Sequence, residues 1–156
     1  MNATVLCVGK MKEKPYREMA DEYLKRLSRF GRIRETEVPD LPEKPGVDEN
    51  QIRRREGERL LEKIHGGDYV IALTLEGKQM DSESFARHLE DLQVRGQSEI
   101  VFVIGGSLGL SGEVRARANE ELCMGRMTFP HQLARVMILE QIYRAIKISS
   151  GERYHK

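Results

Sequence analysis

With 156 residues, 39% of them hydrophobic and 33% charged, the chain has the composition of one folded domain and is too short for a cofactor domain plus a separate substrate domain. No apolar run approaches the roughly 20 residues of a membrane-spanning helix, and Met1–Leu6 lacks the basic and apolar stretches of a secretory signal, so the expected location is the cytoplasm. Net charge is only +1, from 26 Lys and Arg against 25 Asp and Glu, which leaves no large positive surplus for gripping naked nucleic acid through its phosphates.

In chain order, residues 4–8 read as a buried strand ending at Gly9. Pro15 then opens a helix to about Phe30, since a missing N–H costs nothing in a first turn. Tyr16, Met19, Tyr23, Leu24 and Leu27 share one of its faces. A charged strand is predicted over 33–38, then a proline-rich loop over 39–46. Asp48 with Gln51 resembles a capping box that opens a helix to about Ile64. Residues 69–75 and 100–104 are near-continuous apolar strands, separated by a helix over 82–94 that buries Phe85, Leu89 and Leu92. A short helix over about 111–120 leads to a strand over 122–129 and a last helix over 132–149. Strands buried on both faces and separated by helices predict an α/β fold with a parallel sheet flanked by helices.

Leu133, Val136, Met137, Ile138, Leu139, Ile142, Tyr143 and Ile146 cover nearly every direction around the last helix. A helix apolar all round is buried all round, which predicts a second copy of the chain against one side of it. Cys7 and Cys123 each lie in a short apolar run and read as core thiols; no clustered ligands point to a metal.

The strand over 100–104 runs straight into Gly105-Gly106-Ser107-Leu108-Gly109, at the carboxyl end of a strand, where open α/β sheets bind ligands. Ser107 breaks the G-x-G-x-x-G dinucleotide spacing, and no Lys-Ser or Lys-Thr follows as in a P-loop. A nucleoside site and a plain structural turn both fit. Other histidines are bland: His131 reads as a cap or packing residue, His65 and His88 as surface. Arg53, Arg54 and Arg55 read as a solvated helix face that would also reach RNA phosphates.

Four segments then occur in order: Val103-Ile104-Gly105-Gly106-Ser107-Leu108-Gly109, Met127-Thr128-Phe129-Pro130-His131-Gln132-Leu133-Ala134-Arg135, Glu140-Gln141-Ile142-Tyr143-Arg144-Ala145, and Gly151-Glu152-Arg153-Tyr154-His155-Lys156. Together they closely resemble the ribosomal RNA large-subunit methyltransferase H family of the SPOUT superfamily, over essentially the whole chain. That resemblance implies a single SPOUT domain over 1–156 with a carboxyl-terminal trefoil knot, an exception to the rarity of knots. It further implies S-adenosylmethionine as cofactor, a homodimer, and methylation of N3 of a pseudouridine in 23S rRNA on the assembled ribosome. Ribosome shape would then replace the missing basic surplus. By matching motif, cofactor contacts fall on Leu73, Gly105, Met124, Gly125, Arg126, Met127, Thr128 and Phe129.

For transfer to the N3 of a uracil-type ring, a base must take the N3 proton and a cation must steady the charge that moves onto a neighbouring carbonyl oxygen. The resemblance assigns the base to His155, the cation to Arg144, and the stacking or orienting of the target ring to Tyr154. Arg144 equally reads as an i,i+4 partner of Glu140. A non-catalytic ribosome-binding module, a dinucleotide enzyme and a SPOUT enzyme acting on transfer RNA remain alternatives to these expectations.

Overall fold

A computed structural model describes residues 1–154. Its ten elements are β1 (Asn2–Val8), α1 (Lys14–Leu27), β2 (Arg32–Val38), α2 (Glu49–Glu62), β3 (Tyr69–Gln79), α3 (Ser82–Val94), β4 (Ile100–Ile104), α4 (Gly112–Arg117), β5 (Glu120–Cys123) and α5 (His131–Ser149). The five strands form one parallel sheet in the order β2-β1-β4-β3-β5.

The period-two pattern of the strands divides the apolar side chains between two cores. Val5, Cys7, Ile100, Phe102 and Ile104 face one side and pack against Ala20, Leu27, Phe85, Leu89, Ile138 and Ile142 of α1, α3 and α5. Leu6, Val8, Val101 and Val103 face the other and pack against Leu60 of α2 and Val114 of α4. Thus β4 hands the chain to one face while its neighbours β1 and β3 hand it to the opposite face. Chains leaving in opposite directions open a crevice at the carboxyl end of β4.

Local signals explain most boundaries. Pro15 sits in the first turn of α1. Asp48 accepts from the Asn50 N–H at 2.9 Å, Asp81 from Ser84 N–H at 2.7 Å, and Ser111 from Val114 N–H at 3.3 Å. The Asp48 cap therefore uses Asn50 rather than the reciprocal box expected with Gln51. Helix α1 stops at Leu27, three residues before the expected Phe30, and α4 ends at Arg117.

Two strand limits differ more. The bulge between Leu73 and Lys78 lets β3 continue to Gln79 beside β5. The predicted strand over 122–129 is really β5 ending at Cys123, followed by an irregular run over 124–130. Its apolar residues serve a cavity instead of a sheet, and Gly125 sits where a Cβ would lie 3.2 Å from the Phe129 ring.

Helix α2 meets α4 through Gly57, whose added Cβ would lie 2.3 Å from Ser111 Oγ and 3.2 Å from Val114 Cγ2. Helix propensity alone favours Gly57→Ala by about 1 kcal/mol. The clash with the Ser111 cap reverses that sign. We expect Gly57→Ala to lower the melting temperature; a rise would show that α4 moves aside freely.

Candidate functional site at the carboxyl ends of β3, β4 and β5

A cavity of about 840 Å³ opens where the topology predicts. Its walls come from Leu73 and Thr74 of β3, the turn from Ile104 to Leu110, the run Met124-Gly125 and Met127 to Pro130, and His131 and Ala134 of α5. Its volume is in the range of ligand pockets, about 300–1,000 Å³. Of the residues the sequence marked for cofactor contact, Leu73, Gly105, Met124, Gly125, Met127, Thr128 and Phe129 line it. Arg126 does not appear in that wall. Arg53 does, and it donates to the Leu108 carbonyl at 3.3 Å, so it braces the glycine turn rather than standing on a solvated face.

The turn itself is tight. Gly109 N–H donates to Gly106 O at 3.0 Å, and Gly109 takes φ +82°, a left-handed conformation that glycine adopts without strain. A Cβ on Gly105 would lie 2.6 Å from the Gly109 carbonyl carbon. Gly105 is therefore needed for closure of the turn, not only for room in the cavity.

The sequence suggests a cap or packing residue at His131, yet its ring borders the cavity, and its Nδ1 is buried with no hydrogen-bond partner among the described residues, as is Gln132 Oε1. Burial first, and then the Arg135 charge, hold the His131 pKa below its ordinary value, with Asp40 opposing weakly. His131 is accordingly neutral at pH 7.

One turn on, Arg135 is completely buried and anchors the start of α5. It donates to Glu35 at 3.1 Å, to Glu37 at 2.5 Å and to the Gly9 carbonyl at 3.1 Å. Arg17 of α1 joins through Glu35 at 2.5 Å. Burial alone would raise the Glu37 carboxyl, but the hydrogen bonds from Arg135 and Met11 N–H, with the Arg135 and Arg17 charges, hold it below the usual range. Sequence reading missed this cluster. The one available signal was two glutamates in a short strand, Glu35 and Glu37, alongside an arginine in the largely apolar first half of the last helix.

Arg144 and Tyr154 lie elsewhere. Arg144 donates to Glu140 at 2.9 and 2.5 Å, the i,i+4 pairing allowed for above. Tyr154 donates to the same Glu140 oxygen at 3.3 Å and packs edge-on against Tyr143, with the ring centroids 4.9 Å apart. Burial, and then the hydrogen bond with Tyr23, push the Tyr154 phenol up to about 12. His155 falls outside the described residues. Arg144 is thirteen positions beyond His131 on one helix, about 20 Å along its axis at 1.5 Å per residue. Within one chain the two candidate groups do not share a site.

Between them runs a second hollow of about 660 Å³, bordered by Met19 and Tyr23 of α1 and by Leu133, Met137 and Gln141 of α5. Met19 is 46% exposed. Elsewhere, Cys7 and Cys123 are free and buried, as expected of core thiols, and burial pushes the Cys7 thiol up to about 12. His65 is exposed as expected, but His88 is not a plain surface residue: its Nε2 lies 2.5 Å from Glu120. No helix among the described residues is long and apolar enough to cross a membrane.

This is a parallel α/β domain with a ligand-sized cavity walled by a glycine turn and an apolar loop. A family described as predicted SPOUT methyltransferase matches residues 1–155. Relatives named ribosomal RNA large subunit methyltransferase H include those of Clostridium acetobutylicum (51% identical, covering all of both chains) and Shouchella clausii (50%, also all of both). That of Oenococcus oeni is 52% identical, over all of this chain and 99% of the relative. A solved structure of a probable methylase family protein from Haemophilus influenzae Rd KW20 shares the fold, with a TM-score of 0.56 at 13% identity over 99% of this chain and 70% of that one. The chain belongs to the SPOUT methyltransferase family.

Proposed function

We propose that the chain is a cytoplasmic, S-adenosylmethionine-dependent methyltransferase acting as a homodimer on N3 of a pseudouridine in 23S rRNA of the assembled ribosome, and that residues 1–156 form one SPOUT domain with a carboxyl-terminal trefoil knot. The observation that carries this reading is the cavity. Its glycine turn leaves room for an adenosine, and Leu73, Met124, Met127 and Phe129 give it apolar walls. A neutral His131 at its border adds no positive charge beside a sulfonium. The curated relatives' name supplies the substrate class.

The cofactor, when bound, supplies an electrophilic methyl group, so the protein's task is alignment and control of one proton. In the proposed roles, His155 takes the N3 proton as the N3–methyl bond forms, and Arg144 steadies the charge that moves onto the adjacent carbonyl oxygen. A phenol pushed up to about 12 stays protonated at neutral pH, so Tyr154 orients or stacks on the ring instead of acting as the base. Glu140 holds both Arg144 and Tyr154 and fixes their relative positions.

The separation of about 20 Å along α5 argues for the dimer. A two-fold axis perpendicular to α5 would run the helices of two copies antiparallel and set the tail of one beside the cavity of the other. The hollow between Met19 and Met137 would receive the partner's helix.

The test is transfer of labelled methyl from S-adenosylmethionine to purified ribosomes, followed by nucleoside mapping. Label on N3 of pseudouridine is expected; label on no RNA, or on transfer RNA, rejects the assignment. Free rRNA accepting methyl as well as ribosomes do would reject recognition by ribosome shape. Truncation before Tyr154 should keep cofactor affinity and lose at least about a hundredfold in turnover. Mixing that truncated chain with a cavity-blocked chain should restore activity through hybrid dimers. No restoration would place both groups in one protomer.

A further inference from the structure

Among the described residues, every cation–π contact in the protein falls on one surface at the ends of α1 and α5. Arg26 lies 5.3 Å from the Tyr23 ring and 5.7 Å from Tyr143. Lys147 lies 5.1 Å from Phe30 and 5.4 Å from Tyr143, Arg29 lies 5.9 Å from Phe30, and Arg144 lies 4.9 Å from Tyr154. Six contacts among the described residues exceed the one per roughly 70–80 residues usual for proteins, and all share four rings. Phe30 and Tyr154 each also meet Tyr143 edge-on, at 6.3 and 4.9 Å.

We infer that this aromatic–cationic surface docks the RNA loop around the target base: Phe30 and Tyr143 meet unstacked bases while Arg26 and Arg29 reach the phosphates. The inference rests on the RNA-methylating reading above and names the part of the chain that holds the substrate. Enzymes acting on a base need it out of its stack, and single-stranded RNA is held by aromatic faces and guanidinium planes flanked by cations. The charges here are arranged for that use. Glu22 pairs with Arg26 at 3.0 Å, Glu140 with Arg144, and Glu152 with Lys147, which orders those cations against the rings. Arg29 is exposed and has no ion pair among the described residues. With a net charge of +1, the basic groups that matter must be concentrated locally, and this is where they coincide with rings.

A second copy of the chain is the competing occupant. The centre of an interface between copies is depleted of charged residues. The apolar side of the hollow, Met19, Leu133 and Met137, suits a second copy; Tyr23 borders both regions, and the four cations lie outside the hollow's lining.

The test compares wild type with Arg26→Glu/Arg29→Glu, and with Arg29→Glu alone, which leaves the Arg26–Glu22 helix pair intact. Ribosome affinity is measured by filter binding over a salt series, alongside kcat and KM for ribosomes, cofactor affinity and mass by light scattering. The double variant should bind ribosomes at least about tenfold more weakly and raise KM equally, and its log–log salt slope should flatten by about two. Its kcat, cofactor affinity and dimer mass should not change, and the single variant should fall between. Unchanged ribosome affinity and slope would overturn the proposal, as would a variant that becomes monomeric, since the surface would then join copies. A wild type that binds ribosomes without transferring methyl would sink the methyltransferase reading, while the comparison of ribosome affinities would still decide the surface.

Discussion

Gly105→Ala should abolish useful cofactor binding, with affinity for S-adenosylmethionine falling at least about a hundredfold, or roughly 2.7 kcal/mol, in calorimetric titration. The reason is backbone, not bulk in the cavity. The new methyl would lie 2.6 Å from the Gly109 carbonyl carbon and 2.7 Å from its oxygen, and neither can swing away as a side chain would. Relief requires opening the Gly106–Gly109 bridge, which forms the wall of the cavity facing α2. Because Arg53 ties α2 to Leu108, the displacement should also be felt there. The core of β4 below the turn is untouched, so the variant should still unfold cooperatively. Affinity within about threefold of wild type would show that the turn is not part of the cofactor site.

Arg135→Met should be the most damaging single change to stability, costing about 3–5 kcal/mol, the usual penalty for leaving a buried charge without its partner. Arg135 is fully buried and the Glu35 side chain is 6% exposed, so water cannot replace the lost guanidinium without rearrangement. For a chain of this size the melting temperature should drop by about 10–15 °C. The pH dependence has a defined sign. Glu37 is held below its ordinary value in the folded protein, so its pairing stabilises above the unfolded carboxylate value and is lost as pH falls through the lowered one. The gap between wild type and Arg135→Met should therefore be widest near neutral pH and narrow below about pH 4. A gap that stays constant into acid would mean the carboxylates are not what Arg135 neutralises. Because the cluster seats the first turn of α5 and the Gly9 carbonyl, cofactor affinity should fall as well.

Much of this architecture was legible where burial and local chemistry agree. The limits of β4 and α3 follow from Ile100–Ile104 being apolar on both faces and from Asp81 capping Ser84 N–H. Even the cavity's place was legible, because glycines after a central strand mark the end of the sheet where ligands bind. The misreading of 124–129 as strand has a clear cause. Met124, Met127 and Phe129 have the apolar character of a strand, but they line a cavity, and an apolar run does not reveal which of the two it serves. Arg135, Glu35 and Glu37 were illegible for another reason: partners 100 and 98 residues apart leave no spacing signal. The remoteness of Arg144 from Gly105 was equally hidden, since sequence order does not tell whether two motifs meet in one chain or across two copies.

Photolabelling with radioactive S-adenosylmethionine, followed by peptide mapping, tests the placement of the cofactor most directly. The label should map to Leu73–Thr74, to the stretch from Ile104 to Leu110, or to that from Met124 to His131, and excess S-adenosylhomocysteine should compete it away. Label confined to the hollow between Met19 and Gln141, or none that competes, would contradict a cofactor site at the carboxyl ends of β3, β4 and β5.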